Sequence, residues 1–191
     1  MISLKKKYIV KIPQNIQVVY CAKKNIITFI GSFQKRSLRL NVKVFLIPSS
    51  NSIVVSEIPA DGQSSTGVRN VKKIQGTTVA KIKQALIETT YVLYYKLNLV
   101  GVGYRVFPYE GLTNQIYFKL GYSHLVYFKI PSSLNTFCQK FTKLFIFGTS
   151  SFDLLTQTAA QVRSCKAPEP YKGKGILYHN EKITLKKGKK I

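Results

Sequence analysis

The chain has 191 residues, 45% hydrophobic and 12% aromatic, too apolar for a disordered polymer and long enough to bury a real core in one domain or two. Lys and Arg number 30 against 7 Asp and Glu, a formal net charge of +23. A compact body with that self-repulsion calls for a polyanionic partner, and nucleic acid is the first candidate.

Residues 1–7 form a short basic arm carrying Lys5, Lys6 and Lys7, which read equally as a solvated face or as RNA contacts. The sequence MISLKKKYIVKIP has no apolar signal region, so neither a secretory signal nor a long transit peptide is expected. An N-terminal domain is expected over 8–95. Residues 8–12 alternate as a strand broken by Pro13, and 16–22 with 25–30 read as a hairpin around Lys23 and Lys24. The β pattern continues over 34–40, 42–47 and 52–56, and 59–76, rich in Gly, Ser, Asp and basic residues, reads as a loop. From Thr77, the expected N-cap, the period is helical, with Val79, Ile82, Leu86 and Leu93 on one face.

A C-terminal domain is expected over 96–181, followed by a basic tail over 182–191. Residues 97–107, 114–120, 124–130, 134–139 and 143–147 look like strands joined by short turns. Ser150 and Asp153 stand in capping-box spacing before a helix whose buried stripe is Phe152, Leu155, Ala159 and Val162. Both halves thus run strands first and one helix last. IPQNIQVVYCAKKNIITFIG from Ile12 and IPSSLNTFCQKFTKLFIFG from Ile130 also repeat one frame, with Pro13 matching Pro131 and Gly31 matching Gly148. The fold class is α+β: two similar domains from an internal duplication, each an antiparallel-rich sheet packed with one main helix.

Catalytic chemistry is thin. His124 and His179 lie in separate contexts without a metal-ligand pattern, and no two of the carboxylates are close enough in sequence to mark an acid/base pair. Cys21, Cys138 and Cys165 are widely spaced, odd in number and in no C-x-x-C pair, so reduced, packed thiols are expected. Gly101-Val102-Gly103 lacks the third glycine of a dinucleotide loop, and a backbone crossing or bulge explains it better. Tyr104 and Tyr122 read as core residues. No catalytic residue, metal or cofactor is assigned, and no apolar run reaches the roughly 18 residues that span a bilayer.

The stretch PEPYKGKGI, 168–176, stands apart. Its prolines stop the preceding helix, and Lys172, Gly173, Lys174 and Gly175 alternate ammonium groups with glycines that permit close backbone approach, beside one aromatic, Tyr171. That pairing suits phosphates and a stacked base or sugar. Beyond Glu181 the tail adds Lys182, Lys186, Lys187, Lys189 and Lys190, while Arg163 and Lys166 precede the prolines on the helix side.

PEPYKGKGI with Tyr178, Glu181 and the KKGKK tail closely resembles the C-terminal signature of large-subunit ribosomal protein six of the bacterial type. KLNLVGVGYRV (96–106), LGYSHLV (120–126), GTTVAKIKQAL (76–86) and KIPQNIQV resemble further family motifs in the right order. The resemblance implies a non-catalytic, two-domain protein that binds large-subunit rRNA near the sarcin–ricin loop, at the base of the site where translational GTPases dock. It implies rRNA contacts for Tyr171, Lys172, Gly173, Lys174 and Gly175, and for Ser123 and His124 in a second loop. Leu177, Ala167, Cys165 and Leu125 depart from the family pattern, and there the long lysine tail substitutes for missing charge.

The expectation is therefore a structural constituent of the large ribosomal subunit and not an enzyme. Its partners are rRNA, neighbouring subunit proteins and nearby translational GTPases, with no membrane and no homo-oligomer. A free-standing basic RNA-binding or processing factor is the main alternative, and a peripheral protein on anionic membrane a lesser one. Lysine exceeds arginine, and Ile, Phe, Tyr and Asn are abundant, as AT-rich codons favour. This points to an organelle-encoded mitochondrial protein, with plastid or bacterial cytoplasm as alternatives.

Overall fold

In the computed structural model the described residues are 8–59, 68–109, 111, 114–149 and 151–188. Two compact units divide the chain, Met1–Val92 and Leu93–Ile191. Lys5, Lys6, Lys7, Ser150, Lys189 and Lys190 lie outside the described residues.

The first unit runs β1 (Ile9–Lys11), β2 (Gln17–Cys21), β3 (Ile26–Ile30), β4 (Lys35–Arg39), β5 (Val42–Ile47), a 3-10 turn at Pro48–Ser50, β6 (Ser52–Pro59) and α1 (Val68–Thr90). It holds two antiparallel sheets, β1-β6-β5 and β2-β3-β4, where a single sheet was expected. Strand alternation turns Ile27 and Phe29 of β3 inward, and the helical stripe Val79, Ile82, Ala85 and Leu86 of α1 closes over the same core.

The helix corrects three expectations. It begins at Val68, inside the segment read as a loop. Thr77 is no cap; it sits within the helix and donates from Oγ1 to the Ile74 carbonyl at 2.9 Å. Leu93 has left the helix and starts the next strand. Local composition is overridden by packing: Ile74 joins the core, and buried Gln75 donates from Nε2 to the Val55 carbonyl at 2.8 Å.

The second unit runs β7 (Leu93–Val100), β8 (Arg105–Pro108), β9 (Gln115–Lys119), β10 (Val126–Lys129), β11 (Asn135–Gln139), β12 (Lys143–Gly148), α2 (Phe152–Ser164) and β13 (Gly175–Tyr178). Its sheets are β10-β9-β8 and β11-β12-β7-β13, all pairs antiparallel. The continuous strand expected over 97–107 is two strands, parted by a turn in which the Tyr104 N–H donates to the Gly101 carbonyl at 3.2 Å. The observed cap of α2 is Ser151, whose Oγ accepts from the Leu154 N–H at 3.4 Å. Leu155, Thr158, Ala159 and Val162 form its buried stripe, while Phe152 is only half-buried, its ring 6.2 Å from that of Tyr95.

The repeat survives as geometry. Before each matched hairpin the proline carbonyl accepts from the residue three later, Ile16 N–H to Pro13 at 3.3 Å and Leu134 N–H to Pro131 at 3.0 Å. Sheet β2-β3-β4 matches β11-β12-β7, and β1-β6-β5 matches β10-β9-β8. Chain order does not match: β4, β5 and β6 follow the first hairpin, whereas β7, β8 and β9 precede the second. Antiparallel register, not chain order, sets a strand's neighbours. β13 extends the second unit's larger sheet to four strands, and no fourth strand joins its counterpart among the described residues.

Ile82→Ala removes a fully buried side chain from the first core and is expected to cost about 2–5 kcal/mol. Half-exposed Ile87→Ala on the same helix serves as the near-neutral control. Urea denaturation measures both, and equal midpoints would contradict this account of how α1 is seated.

Candidate nucleic-acid interface

Helix α2 ends at Ser164, and the chain returns as β13 after a loop closed by its own backbone. The Glu169 N–H donates to the Lys174 carbonyl and the Gly173 N–H to the Glu169 carbonyl, both at 2.9 Å. The Ile176 N–H donates to the Lys166 carbonyl, and the Lys186 N–H reaches back from the tail to the Pro170 carbonyl, again at 2.9 Å. Gly173 takes φ of 67°, where a β-carbon is unfavourable. At Gly175, with φ of 155°, an added β-carbon would lie 2.6 Å from Pro168 Cα.

This closure sorts the loop residues expected to meet RNA. Tyr171 and Lys172 are exposed, the former at 54%, and Gly173 and Lys174 are half-buried. Gly175 is buried and pairs with Val100 in the β13–β7 ladder, so it acts as a joint of the loop. The strand GILY was not foreseen; the signal for it was the run of apolar residues from Ile176 to Tyr178 directly after the glycines. Lys182, Lys186 and Lys187 are exposed on the tail.

Arg163 is differently employed. Its guanidinium grips Glu181 with two hydrogen bonds, Nε to Oε2 at 3.0 Å and Nη2 to Oε1, and lies 5.6 Å from the Tyr178 ring centre. Glu181 also accepts from the Tyr178 N–H at 3.1 Å. The hydrogen bonds from Arg163 hold the Glu181 carboxyl below the usual carboxylate range against the opposing effect of burial, and the same hydrogen bonds push Arg163 up. Its charge is thus taken up inside the unit.

A second basic group adjoins the end of α2. Lys166 Nζ stands 4.1 Å above the Tyr122 ring, whose hydroxyl donates to the Cys165 carbonyl at 3.2 Å. Tyr122 in turn stacks on His124 at 5.6 Å and 13°. The β9–β10 turn carrying Ser123 and His124 is thereby fastened to Lys166, all within one unit. Tyr122 was read as core but is 42% exposed, a correction that brings an aromatic ring into this group. Tyr104 is half-buried and packs against the core.

The remaining chemistry is sparse. Burial pushes the Cys138 and Cys165 thiols up, which keeps them protonated and weakly nucleophilic at neutral pH. Cys21 is exposed rather than packed. Among the described residues no three His, Cys, Asp or Glu converge as a metal site. His179 faces Lys96 and Asn98, its Nε2 3.5 Å from the Lys96 amine and its Nδ1 3.4 Å from the Asn98 amide nitrogen. No described helix is long and apolar enough to cross a membrane.

The sequence profile of ribosomal protein L6 matches residues 100–179, which take in β8 through β13 and the closed loop. The large ribosomal subunit protein uL6 of Malacoplasma penetrans is 34% identical over 181 residues, covering 95% of this chain and 92% of the relative. The chain belongs to the ribosomal protein L6 family. The uL6 protein of Geotalea uraniireducens is 31% identical over 180 residues, 94% of this chain and 93% of its own. That of Mycoplasma pneumoniae is 44% identical over 122 residues, 64% of each chain. The L6 family is one of structural proteins, and the chain is not an enzyme. These relatives are bacterial; they support the bacterial alternative and lend nothing to the expected mitochondrial location.

Two outcomes follow from this geometry. Because the Glu181 pKa is depressed, the pair's contribution to stability is full above the ordinary carboxylate range, about pH 4–5, and is lost as pH falls through the lowered value. Glu181→Gln should therefore flatten the acid limb of a stability–pH profile, and an unaltered limb would dissociate the pair from acid unfolding. Gly175→Ala forces a methyl into the Pro168 backbone and is expected to cost about 1–3 kcal/mol in the same denaturation assay.

Proposed function

We propose that this protein is a structural constituent of the large ribosomal subunit whose second unit anchors it to large-subunit rRNA. The observation that carries this reading is the basic loop closed before any ligand arrives. Four backbone hydrogen bonds hold a turn that presents Tyr171 and Lys172 outward, so little ordering entropy remains to oppose binding. Lys172 and Lys174 neutralise phosphates, and the Tyr171 ring is free to stack on a base or sugar. Lys166 and His124 form an adjoining contact group, and Lys182, Lys186 and Lys187 with the tail beyond them extend the positive surface.

The resemblance of 168–176 and 120–126 to the family's motifs supports a position near the sarcin–ricin loop, with translational GTPases and neighbouring subunit proteins close by. One copy serves each subunit, in the ribosome of a bacterial cytoplasm.

Lys172→Ala combined with Lys174→Ala should weaken binding to large-subunit rRNA and reduce the log–log salt slope by about 1.4–1.8, from roughly 0.7–0.9 per phosphate contact. An unchanged slope removes the loop from the interface. Co-sedimentation with large subunits through high salt is the companion measurement. Release at moderate salt with recovery on free RNA would favour a free-standing RNA-binding factor instead.

A further inference from the structure

The sheet β10-β9-β8 has an outer face that the loop and its lysines do not use. Alternation turns Val106, Ile116 and Phe118 into the core, which sends Phe107, Tyr117 and Tyr127 to the other side. Register places these three in one row across the strands, Phe107 opposite Tyr117 and Tyr117 opposite Tyr127. Phe107 and Tyr117 stack at 5.2 Å and 19°, and Tyr117 lies 6.1 Å from Tyr127, which is 59% exposed on an edge strand.

Two further rings lengthen the row. Tyr109 meets Tyr127 edge-on at 6.2 Å, and Phe141 lies 4.9 Å from Phe107. Phe141 comes from the β11–β12 turn, where it and Lys140 both take left-handed backbone, φ of 56° and 51°. Such a pair of non-glycine residues costs energy and persists only where the surroundings impose it. Here the Phe141 carbonyl accepts from the Val106 N–H at 2.8 Å, which pins the turn to β8.

Tyr127, Phe141 and Tyr109 are exposed and Phe107 and Tyr117 half-buried, so the row offers ring surface to a ligand. Its chemistry selects the partner. By the same alternation Arg105, Lys119 and Lys129 stand on this face, all exposed, with Arg105 directly opposite Lys119. Neither these strands nor the turn contains an acidic residue. Rings that stack on bases, bordered by cations that meet phosphates, match a single-stranded nucleic acid.

We propose that the outer face of this sheet is a second RNA surface, which stacks unpaired bases of rRNA on the Phe107–Tyr117–Tyr127 row. The identity of the polymer rests on the rRNA-binding reading above; the surface itself does not depend on the loop.

The test uses the full chain, titrated over a salt series with an oligouridylate of about ten nucleotides and with a fully paired RNA hairpin of similar length. Tyr117→Leu with Tyr127→Leu should weaken oligouridylate binding tenfold or more, at the stacking worth of roughly 1–3 kcal/mol per base, and leave the salt slope and hairpin binding unchanged. The Lys172→Ala, Lys174→Ala variant should show the reverse, a reduced slope on the hairpin. Should the double tyrosine variant unfold, Tyr127→Ser at the exposed edge carries the same expectation. In assembled subunits, Tyr127→p-benzoylphenylalanine should photo-crosslink to rRNA. Parental affinity of the tyrosine variants for oligouridylate, or a crosslink to protein, overturns this proposal alone. A parent chain that binds neither RNA overturns it together with the rRNA reading.

Discussion

The antiparallel seating of β13 on β7 is the constraint from which the basic loop takes its shape. Gly175 lies opposite Val100 and Ile176 opposite Leu99, and at that depth the backbone passes so close to Pro168 that no β-carbon fits. The outgoing end of the loop is therefore fixed in the core by Ile176, while the incoming end is fixed by α2, whose Leu155, Ala159 and Val162 share that core. What lies between is short and internally hydrogen-bonded, with lysines left at its surface. A basic loop made in this way is positioned by apolar burial and backbone hydrogen bonds and needs no charge pair of its own.

Charge is divided along the same lines. Acidic residues are scarce, and two of them are spent inside the units. Glu181 binds Arg163 and receives the Tyr178 N–H, which ties the tail to the end of α2. Glu88, buried in the first unit, pairs with Arg36 at 3.3 Å and accepts from Gln84 at 3.1 Å, while its carbonyl accepts from Gln34. The forked guanidinium of Arg163 thus serves a carboxylate at fixed geometry, whereas the exposed lysines of the loop and tail supply outward charge. The surplus of positive charge remains on the surface, where a polyanion can neutralise it.

The two units show how far a duplicated architecture constrains function. Their paired sheets match in strand order, yet only the second has a fourth strand, β13, in the described structure, and the basic loop exists because of that strand. The aromatic row belongs to the second unit's other sheet. One α+β body thereby carries a basic turn closed by its own backbone and a row of partly exposed rings on separate elements, each held by the same buried cluster.

Much of this was legible without coordinates. Alternation of apolar residues located most strands, Pro13 and Pro131 disclosed the repeated hairpin, and PEPYKGKGI marked the loop and its lysines. These are local signals, written in period, proline and charge. The helix from Val68 was not legible, because Ile74 and Gln75 are held helical by contacts with strands distant in sequence. Nor was the fate of Arg163, which depended on a carboxylate eighteen residues away being folded back onto it. The row Phe107, Tyr117, Tyr127 was equally hidden: each ring looked like one more aromatic in a strand until register set them side by side. The sequence by itself determined the class of fold, the excess of cations and the loop that carries them. Only tertiary structure decided which charges are consumed, which glycine is a joint and which rings share a face, since those follow from pairings between segments far apart in the chain.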